Sequence, residues 1–135
     1  MKHTTVLLAD ADARARGEIR RGLETMGYPV FEAGAGESAL QVLDKHDVGL
    51  VVMELYLKAA VDPCLLRFIR RTKALRRVKV LVLTDHSDAS DQAWATREGA
   101  DAYLVKPTRL DRILQVATQL ASSRTPARCA ARGGM

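Results

Sequence analysis

The chain has few of the residues that mark disulfide-bonded, zinc-binding or strand-binding proteins. Of its 135 residues only two are cysteines, Cys64 and Cys129, and neither lies in the C-x-x-C or histidine-rich spacing of a zinc site. Aromatic residues make up 4% of the chain and form no stripe with basic residues of the kind that single-strand binders use. Neither G-x-G-x-x-G nor G-x-x-x-x-G-K-S/T occurs, which disfavours a nucleotide-binding site. The scarcity of cysteine favours a reduced, cytoplasmic setting.

Long hydrophobic runs are also absent. The charge-free apolar stretch near the start, Thr4 to Ala9, is too short for the core of a signal peptide, and no small-residue cleavage site follows it. Nothing approaches the ~18 apolar residues of a membrane span. We therefore expect neither a signal peptide nor a membrane-bound protein. With 47% apolar residues, the chain has enough hydrophobic material for the core of one domain.

The positive charge is concentrated at the end of the chain. The net charge is +5, and the last fourteen residues contain three arginines and no acid, which leaves +2 on the rest. The composition of residues 122–135, rich in Ser, Ala, Gly and Arg, predicts a basic, disordered tail after a domain at 1–121. We expect this tail to be solvated and nucleic acid not to be the partner. The alternative is a nucleic-acid-binding arm formed by Arg124, Arg128 and Arg132.

Short apolar runs alternate with segments of helical periodicity, which is typical of βα units around a parallel sheet. The predicted strands are 4–9, 28–33, 50–53, 78–83 and 102–105. The predicted helices are 12–27, 36–45, one that begins at Pro63, 88–98, and one that carries Leu110 to Leu120. Five such units in order predict an α/β three-layer sandwich with right-handed crossovers.

The sequence also predicts which side chains of these helices face the core and which face solvent. In the first helix the apolar spacing places Ala15, Ile19, Leu23 and Met26 on the inner face. In the third helix the apolar residues face inward, and the outer, solvated face is basic, with Arg67, Arg70 and Arg71. Trp94, the sole tryptophan, is expected in the core.

Polar residues follow four of the five predicted strands. In open parallel sheets the functional site lies beyond the carboxyl ends of the strands. Taken singly, these residues have ordinary structural explanations, such as helix capping or loop formation. Their joint occurrence predicts one site of carboxylates, a hydroxyl and an amine, formed by Asp10, Ala11 and Asp12 after the first strand, Glu54 after the third, Thr84 and Asp85 after the fourth, and Lys106-Pro107 after the fifth.

This arrangement resembles the receiver domains of two-component response regulators over residues 4–121. The matching stretches are VLLAD at 6–10, EAGAGESAL at 32–40, LVVMEL at 50–55, VLT at 82–84 and GADAYLVKP at 99–107, of which the last is the most specific. The resemblance implies a flavodoxin-like, doubly wound sheet with strand order 2-1-3-4-5. It also implies a role in phosphorelay signal transduction.

The resemblance assigns a role to each site residue. Glu54 stands at the position of the phosphoacceptor aspartate, and Asp10 at that of the first acid that holds Mg²⁺. The remaining matches are Thr84 as the switch hydroxyl, Tyr103 as the rotating aromatic and Lys106 as the phosphate-contacting lysine.

Several positions depart from the family pattern. Glutamate is one methylene longer than aspartate, which moves the carboxylate by ~1.5 Å, and a misplacement of ~1 Å can cost on the order of a hundredfold in rate. Ala11 replaces the second metal-binding acid, so we expect Mg²⁺ binding to be weak or absent, with Asp10, Asp12 and Glu54 as candidate ligands. Asp12 is either a substitute ligand or a plain helix cap. In the loop after Glu54, Lys58 and Asp62 replace the usual Pro and Gly.

These departures favour a pseudo-receiver, meaning a receiver domain that is not an enzyme and acts by protein contacts without aspartate phosphorylation. A Glu54–Lys106 ion pair would then imitate the phosphorylated state. No output domain is evident, so we expect a histidine kinase, an effector, a second regulator or a second copy to bind the helix 4–strand 5–helix 5 face. The alternatives are a working phosphoreceiver that uses Asp10, Asp12 or Glu54 with Mg²⁺, and a nucleic-acid-associated protein that acts through the arginine tail.

Overall fold

A computed structural model describes residues 4–57 and 64–123 as a five-stranded sheet flanked by helices. The strands are β1 (Thr5–Ala9), β2 (Val30–Ala33), β3 (Val48–Met53), β4 (Lys79–Thr84) and β5 (Ala102–Val105). The helices are α1 (Ala13–Thr25), α2 (Gly36–Lys45), α3 (Leu65–Arg71), α4 (Ala89–Glu98) and α5 (Leu110–Ser123), with a 3₁₀ turn at Lys73–Leu75.

All strand pairs are parallel, and the strand order is β2-β1-β3-β4-β5. This confirms the flavodoxin-like fold predicted for the chain. The register places Ala9 opposite Met53 and Thr84 opposite Val105. Because each pair ends at the same edge of the sheet, the residues that follow these strands are brought together there.

The core consists of two hydrophobic clusters, one on each face of the sheet. β3 and β4 are buried along their whole length, so successive side chains alternate between the two clusters. One cluster, which includes Val51, Met53, Val80 and Val82, packs against α2, α3 and α4. The other, which includes Leu50, Val52, Leu81 and Leu83, packs against α1 and α5. Full burial of each such side chain contributes about 1.5–3 kcal/mol, which gives the sheet a rigid centre.

Several element boundaries differ from the predictions. β2 begins at Val30 and not at Tyr28, because the Tyr28 N–H donates to the Leu23 carbonyl (3.1 Å) and so completes the end of α1. Met26, predicted on the inner face of α1, is 47% exposed. The helix α5 reaches Ser123, two residues past the predicted domain boundary at 121. Pro63, Lys58, Asp62 and the tail residues 124–135 lie outside the described residues.

The outer side of α3 is less solvated than predicted. Arg67 pairs with Glu98 (3.3 Å) and lies 5.6 Å from the ring centroid of Trp94, while Arg70 pairs with Asp101 (2.9 Å). Trp94 is partly buried and packs against the edge of the first cluster, whereas the prediction placed it in the core.

None of the helices in the described part of the chain has the length and apolar character needed to cross a bilayer.

Candidate functional site

Lys106 joins two carboxylates at the carboxyl edge of the sheet. Its Nζ donates to Asp10 Oδ2 at 2.8 Å and to Glu54 Oε1 at 3.3 Å. The three side chains come from the ends of β1, β3 and β5, and all are partly buried. The Glu54–Lys106 pair predicted from the sequence is therefore present. It is shared with Asp10, which the prediction did not include.

The second carboxylate oxygen of Glu54 also accepts hydrogen bonds. Oε2 accepts hydrogen bonds from the Leu55 N–H (2.9 Å) and from the Thr84 hydroxyl, and Thr84 has no exposed surface. The Thr84 oxygen in turn accepts from the His86 N–H at 3.3 Å. Glu54 is thus held by a hydroxyl, an ammonium and a backbone N–H, and each of its two oxygens accepts at least one hydrogen bond.

The ammonium of Lys106 remains protonated at neutral pH. Burial by itself lowers the pKa of Lys106, but the hydrogen bond and charge of Asp10, with the charge and hydrogen bond of Glu54, outweigh it and raise the pKa above its ordinary value. The peptide bond that follows, between Lys106 and Pro107, is cis.

The residues after β1 divide between the site and the first helix. Asp10 Oδ1 accepts from the Asp12 N–H at 2.9 Å, while Asp12 Oδ1 caps α1 by accepting from the N–H groups of Arg14 (3.1 Å) and Ala15 (3.2 Å). Asp12 therefore has the capping geometry, and Ala11 is exposed and offers no ligand atom. The structure brings Asp10, Glu54, Thr84 and Lys106 together and leaves Ala11 and Asp12 outside that group.

Arg16 is a neighbour of the site that sequence reasoning missed. Its guanidinium donates through Nη1 to the backbone carbonyl of Asp10 and through Nε to Glu32 Oε1 at 2.8 Å. Glu32 also accepts from Arg20 Nη1 at 2.8 Å. Arg16 therefore holds the backbone from which the Asp10 carboxylate projects. Its position one turn after the Asp12 cap was the available signal.

A magnesium ion would need carboxylate oxygens beyond those that Lys106 already occupies. Asp10 and Glu54 each share an oxygen with the ammonium, which supplies the positive charge between them. Among the described residues, the His, Cys, Asp and Glu side chains close enough to share a cation are Glu54, Asp85 and His86, whose ligand atoms lie within 4.8 Å of one another. This group is not the Asp10, Asp12 and Glu54 set considered from the sequence. The residues present therefore fit poorly the Mg²⁺ that the resemblance implies.

A group of side chains from three elements lies beside Glu54 and Thr84. The Tyr56 hydroxyl donates to Asp91 Oδ1 in the first turn of α4, and the Tyr56 ring meets the His86 ring edge to face at 4.6 Å. His86 Nδ1 lies 3.9 Å from Asp91 Oδ2. We call the hydrogen bond between Tyr56 and Asp91 the Tyr56–Asp91 bridge. Sequence reasoning did not identify Tyr56 or His86, although each stands two positions after a site residue.

The two tyrosines near the site are hard to ionise. The hydrogen bond to Asp91, with partial burial and the charge of Asp91, raises the pKa of Tyr56 to about 12. Burial, followed by the charges of Asp91 and Glu54, raises the pKa of Tyr103 above its ordinary value. The Tyr103 hydroxyl donates to the His86 carbonyl at 2.7 Å, so the ring of Tyr103 lies against the loop between β4 and α4.

Comparisons with known proteins place this geometry in a family. The family model described as "Response regulator receiver domain" matches residues 6–118. The two-component response regulator-like protein APRR1 of Arabidopsis thaliana is 32% identical over 120 residues, which cover 85% of this chain and 19% of that protein. The probable transcriptional regulator ycf27 of Porphyridium aerugineum is 31% identical, with 79% of this chain and 43% of the relative covered. The chain thus spans less than half the length of these relatives.

The fold is found in solved structures too. The receiver domain of the Francisella response regulator 1452 superposes with a TM-score of 0.80 at 22% identity, and the match covers 90% of this chain and 99% of that domain. At this identity the structural likeness speaks for the fold alone. The family model carries the assignment further, because it covers both the strands of the sheet and the residues at their carboxyl ends. The chain therefore belongs to the receiver domain family of response regulators, the signal-receiving modules of two-component systems.

Proposed function

We propose that this receiver domain is a pseudo-receiver, which signals by contact with other proteins and without phosphorylation. Receiver domains of this family interact with other signalling proteins, such as kinases and effectors. In this domain, we propose, the signalling conformation is set by a side chain and not by phosphorylation. In it, the Glu54 side chain supplies the negative charge that a phosphoryl group would otherwise bring.

The observation that carries the proposal is the set of contacts around Glu54. The groups assigned by family resemblance to a phosphoryl group, the Thr84 hydroxyl and the Lys106 ammonium, both bind the Glu54 carboxylate. Tyr103 at the same time donates to the loop between Thr84 and α4. The Glu54 carboxylate makes its contacts with the Thr84 hydroxyl and the Lys106 ammonium in this conformation of the loop between β4 and α4. It therefore favours this conformation over others in which the contacts are absent.

The same contacts argue against phosphoryl transfer. In-line attack requires a carboxylate oxygen that can approach phosphorus, and the hydrogen bonds at both Glu54 oxygens would have to rearrange for it to do so. Phosphoryl transfer also depends on a cation that offsets the developing charge. Ala11 provides no ligand and Asp12 caps α1, so we propose that Mg²⁺ is bound weakly and is not required.

The partner surface in this proposal is the α4–β5–α5 face. Two large hydrophobic side chains at the end of β5 and the start of α5, Val105 and Leu110, are 38% and 39% exposed. Tyr103 lies in the same strand and contacts the loop that leads into α4. We call the group formed by Asp10, Glu54, Thr84 and Lys106 the Glu54 pocket. A kinase, an effector or a second copy that covers these apolar residues would therefore sense the state of the Glu54 pocket through Tyr103.

Phosphorylation can be tested directly by intact mass measurement after incubation with acetyl phosphate and Mg²⁺. We expect no mass gain for the wild type or for Glu54→Gln, the control that keeps side-chain length and removes the charge. Glu54→Asp shortens the side chain and tests the rest of the site: a gain restricted to this variant would show that the remaining residues are competent. A stoichiometric gain of one phosphoryl group by the wild type, mapped to Asp10, Asp12 or Glu54, would refute the proposal.

A further inference from the structure

The segment from α3 to the start of β4 is strongly basic. Residues 64–84 contain no acid, and seven cations lie between positions 67 and 79. Three of these have acidic partners within the fold, because Arg67 pairs with Glu98, while Arg70 and Lys79 share Asp101 at 2.9 and 3.8 Å. The other four are exposed and form what we call the basic patch: Arg71, Lys73, Arg76 and Arg77.

Within the described residues, no acid pairs with the basic patch. In residues 4–57 and 64–123, no carboxylate lies within ion-pair distance of any of its four side chains. The exposed Asp47 precedes β3, the strand next to β4, and even this acid makes no ion pair with the patch. Four unpaired cations within seven residues therefore produce a concentrated positive potential.

The backbone that carries the basic patch is held in place by Arg70. Its guanidinium donates to the carbonyls of Val78 (2.7 Å) and Gly99 (2.8 Å) and to Asp101 Oδ2 (2.9 Å). Leu75, in the 3₁₀ turn, packs against the first core cluster. The cations thus project from a fixed turn, so a ligand would not have to order the backbone on binding.

The basic patch lies at the end of the sheet opposite the Glu54 pocket. It precedes β4, whereas Thr84 ends that strand, and the six residues of β4, five steps of ~3.3 Å, span roughly 17 Å. A ligand on the patch would therefore leave Glu54 and Lys106 accessible. This surface is independent of the function proposed above.

The composition of the basic patch indicates what kind of ligand it fits. The exposed large hydrophobic residues of the described chain are Met26, Tyr56, Val105 and Leu110, and none of them belongs to residues 64–84. A protein interface needs a buried apolar or aromatic anchor at its centre, and insertion into a membrane surface needs apolar side chains. Phosphodiester contacts need only cations.

We propose that the basic patch binds the phosphate backbone of double-stranded nucleic acid without sequence preference. If its seven residues rose like a 3₁₀ helix, they would span about 12 Å. A DNA duplex carries one charge per ~1.7 Å, so several phosphates lie within that length. A duplex is favoured over a single strand because the patch lacks the exposed aromatic rings on which unpaired bases stack.

Fluorescence anisotropy with a labelled DNA duplex, measured over a range of salt concentrations, tests this proposal on the full chain. Each lost phosphate contact lowers the slope of log K against log salt by about 0.9, so the double variant Arg76→Gln/Arg77→Gln should reduce the slope by about 1.8 relative to wild type. The matched control is Arg14→Gln/Arg21→Gln, which removes the same charge from two exposed arginines of α1 and should leave the slope unchanged. Thermal unfolding of both variants checks that they fold.

Three results would overturn the proposal. The first is a wild type that does not bind the duplex at low salt, and the second is a slope that falls equally in the two double variants. The third is preferential binding of the patch to another anion. Poly-glutamate that displaces the duplex at lower charge concentration would indicate an acidic protein, and tighter binding to phosphatidylserine vesicles would indicate a membrane surface.

Discussion

Tyr56 and Asp91 stand thirty-five positions apart in the chain and are joined by a hydrogen bond that the tyrosine hydroxyl donates to the carboxylate. The bridge connects the loop that follows Glu54 to the first turn of α4, and the His86 ring lies against it. Three of the four predictions below follow from contacts of this kind, between residues that different elements bring together.

The Tyr56–Asp91 bridge predicts an abnormal tyrosine titration. The folded-state pKa of Tyr56 is about 12, above its ordinary value of 10.0, because the protonated hydroxyl donates a hydrogen bond to Asp91. Since the folded pKa is the higher one, the stabilisation by the bridge is complete below pH 10 and is lost as the pH rises through about 12. We expect Asp91→Asn to lower this pKa towards the ordinary value in an ultraviolet absorbance titration.

Tyr56→Phe provides the control for that experiment. It should remove one titrating group from the high-pH transition. If the transition near pH 12 persisted in Tyr56→Phe, the bridge would not be its source.

Removal of the Lys106 ammonium should destabilise the fold. Lys106→Met leaves the carboxylates of Asp10 and Glu54 without their shared cation in a partly buried site. Breaking a pair in this way costs roughly 2 kcal/mol, less than at a fully buried site because water reaches the carboxylates. Urea unfolding at neutral pH measures the loss. Addition of Asp10→Asn to Lys106→Met should recover part of it, and a double variant no more stable than the single one would contradict the assignment.

Asp12 can be tested as a helix cap separately from metal binding. Asp12→Ala removes the acceptor for the Arg14 and Ala15 N–H groups and should cost about 1 kcal/mol in the free energy of unfolding. Asp12→Asn keeps a capping oxygen and should stay close to wild type. Isothermal titration with Mg²⁺ completes the comparison, because a ligand role predicts a weaker affinity in Asp12→Asn and a capping role predicts no change.

Gly99 closes α4 in a conformation that only glycine adopts without strain. Its φ is +111°, and a Cβ at this position would lie 2.7 Å from Arg70 Nε. Gly99→Ala should therefore destabilise the domain by about 1–2 kcal/mol, observed as a lower midpoint in chemical denaturation. Gly17→Ala, in a helix with ordinary space around the added Cβ, is the control and should be neutral or slightly stabilising. Equal effects of the two substitutions would contradict the role given to the Gly99 turn.

The sheet was accessible from the sequence because β3 and β4 contain short apolar runs whose polar followers mark one edge, and the strand order was implied by the resemblance to receiver domains. The boundaries were less accessible. The start of β2 depends on the Tyr28 N–H, which donates to the end of α1 and not to a strand. The apolar periodicity of the sequence does not show which of these two partners the N–H takes. Met26 kept the helical spacing of a core residue but follows the last residue of α1, and its side chain is exposed.

The candidate site was accessible to a similar extent. Strand ends identified Asp10, Glu54, Thr84 and Lys106, because parallel strands bring their carboxyl ends together. The partners from loops and helices were not identified, since Arg16, Tyr56 and Asp91 reach the site by side-chain direction, which depends on packing across elements. The basic face of α3 was assigned to solvent as a whole, although two of its arginines are paired with acids of α4 and the following turn.

The position of Glu54 between Thr84 and Lys106 has a consequence for timing. An acyl phosphate hydrolyses, so a phosphorylated receiver has a limited lifetime and then returns to its resting state. A glutamate side chain is part of the polypeptide and has no such lifetime. Under the function proposed above, the amount of signalling protein would follow synthesis and degradation of the chain, and a cell would end the signal by removing the protein or occupying its partner.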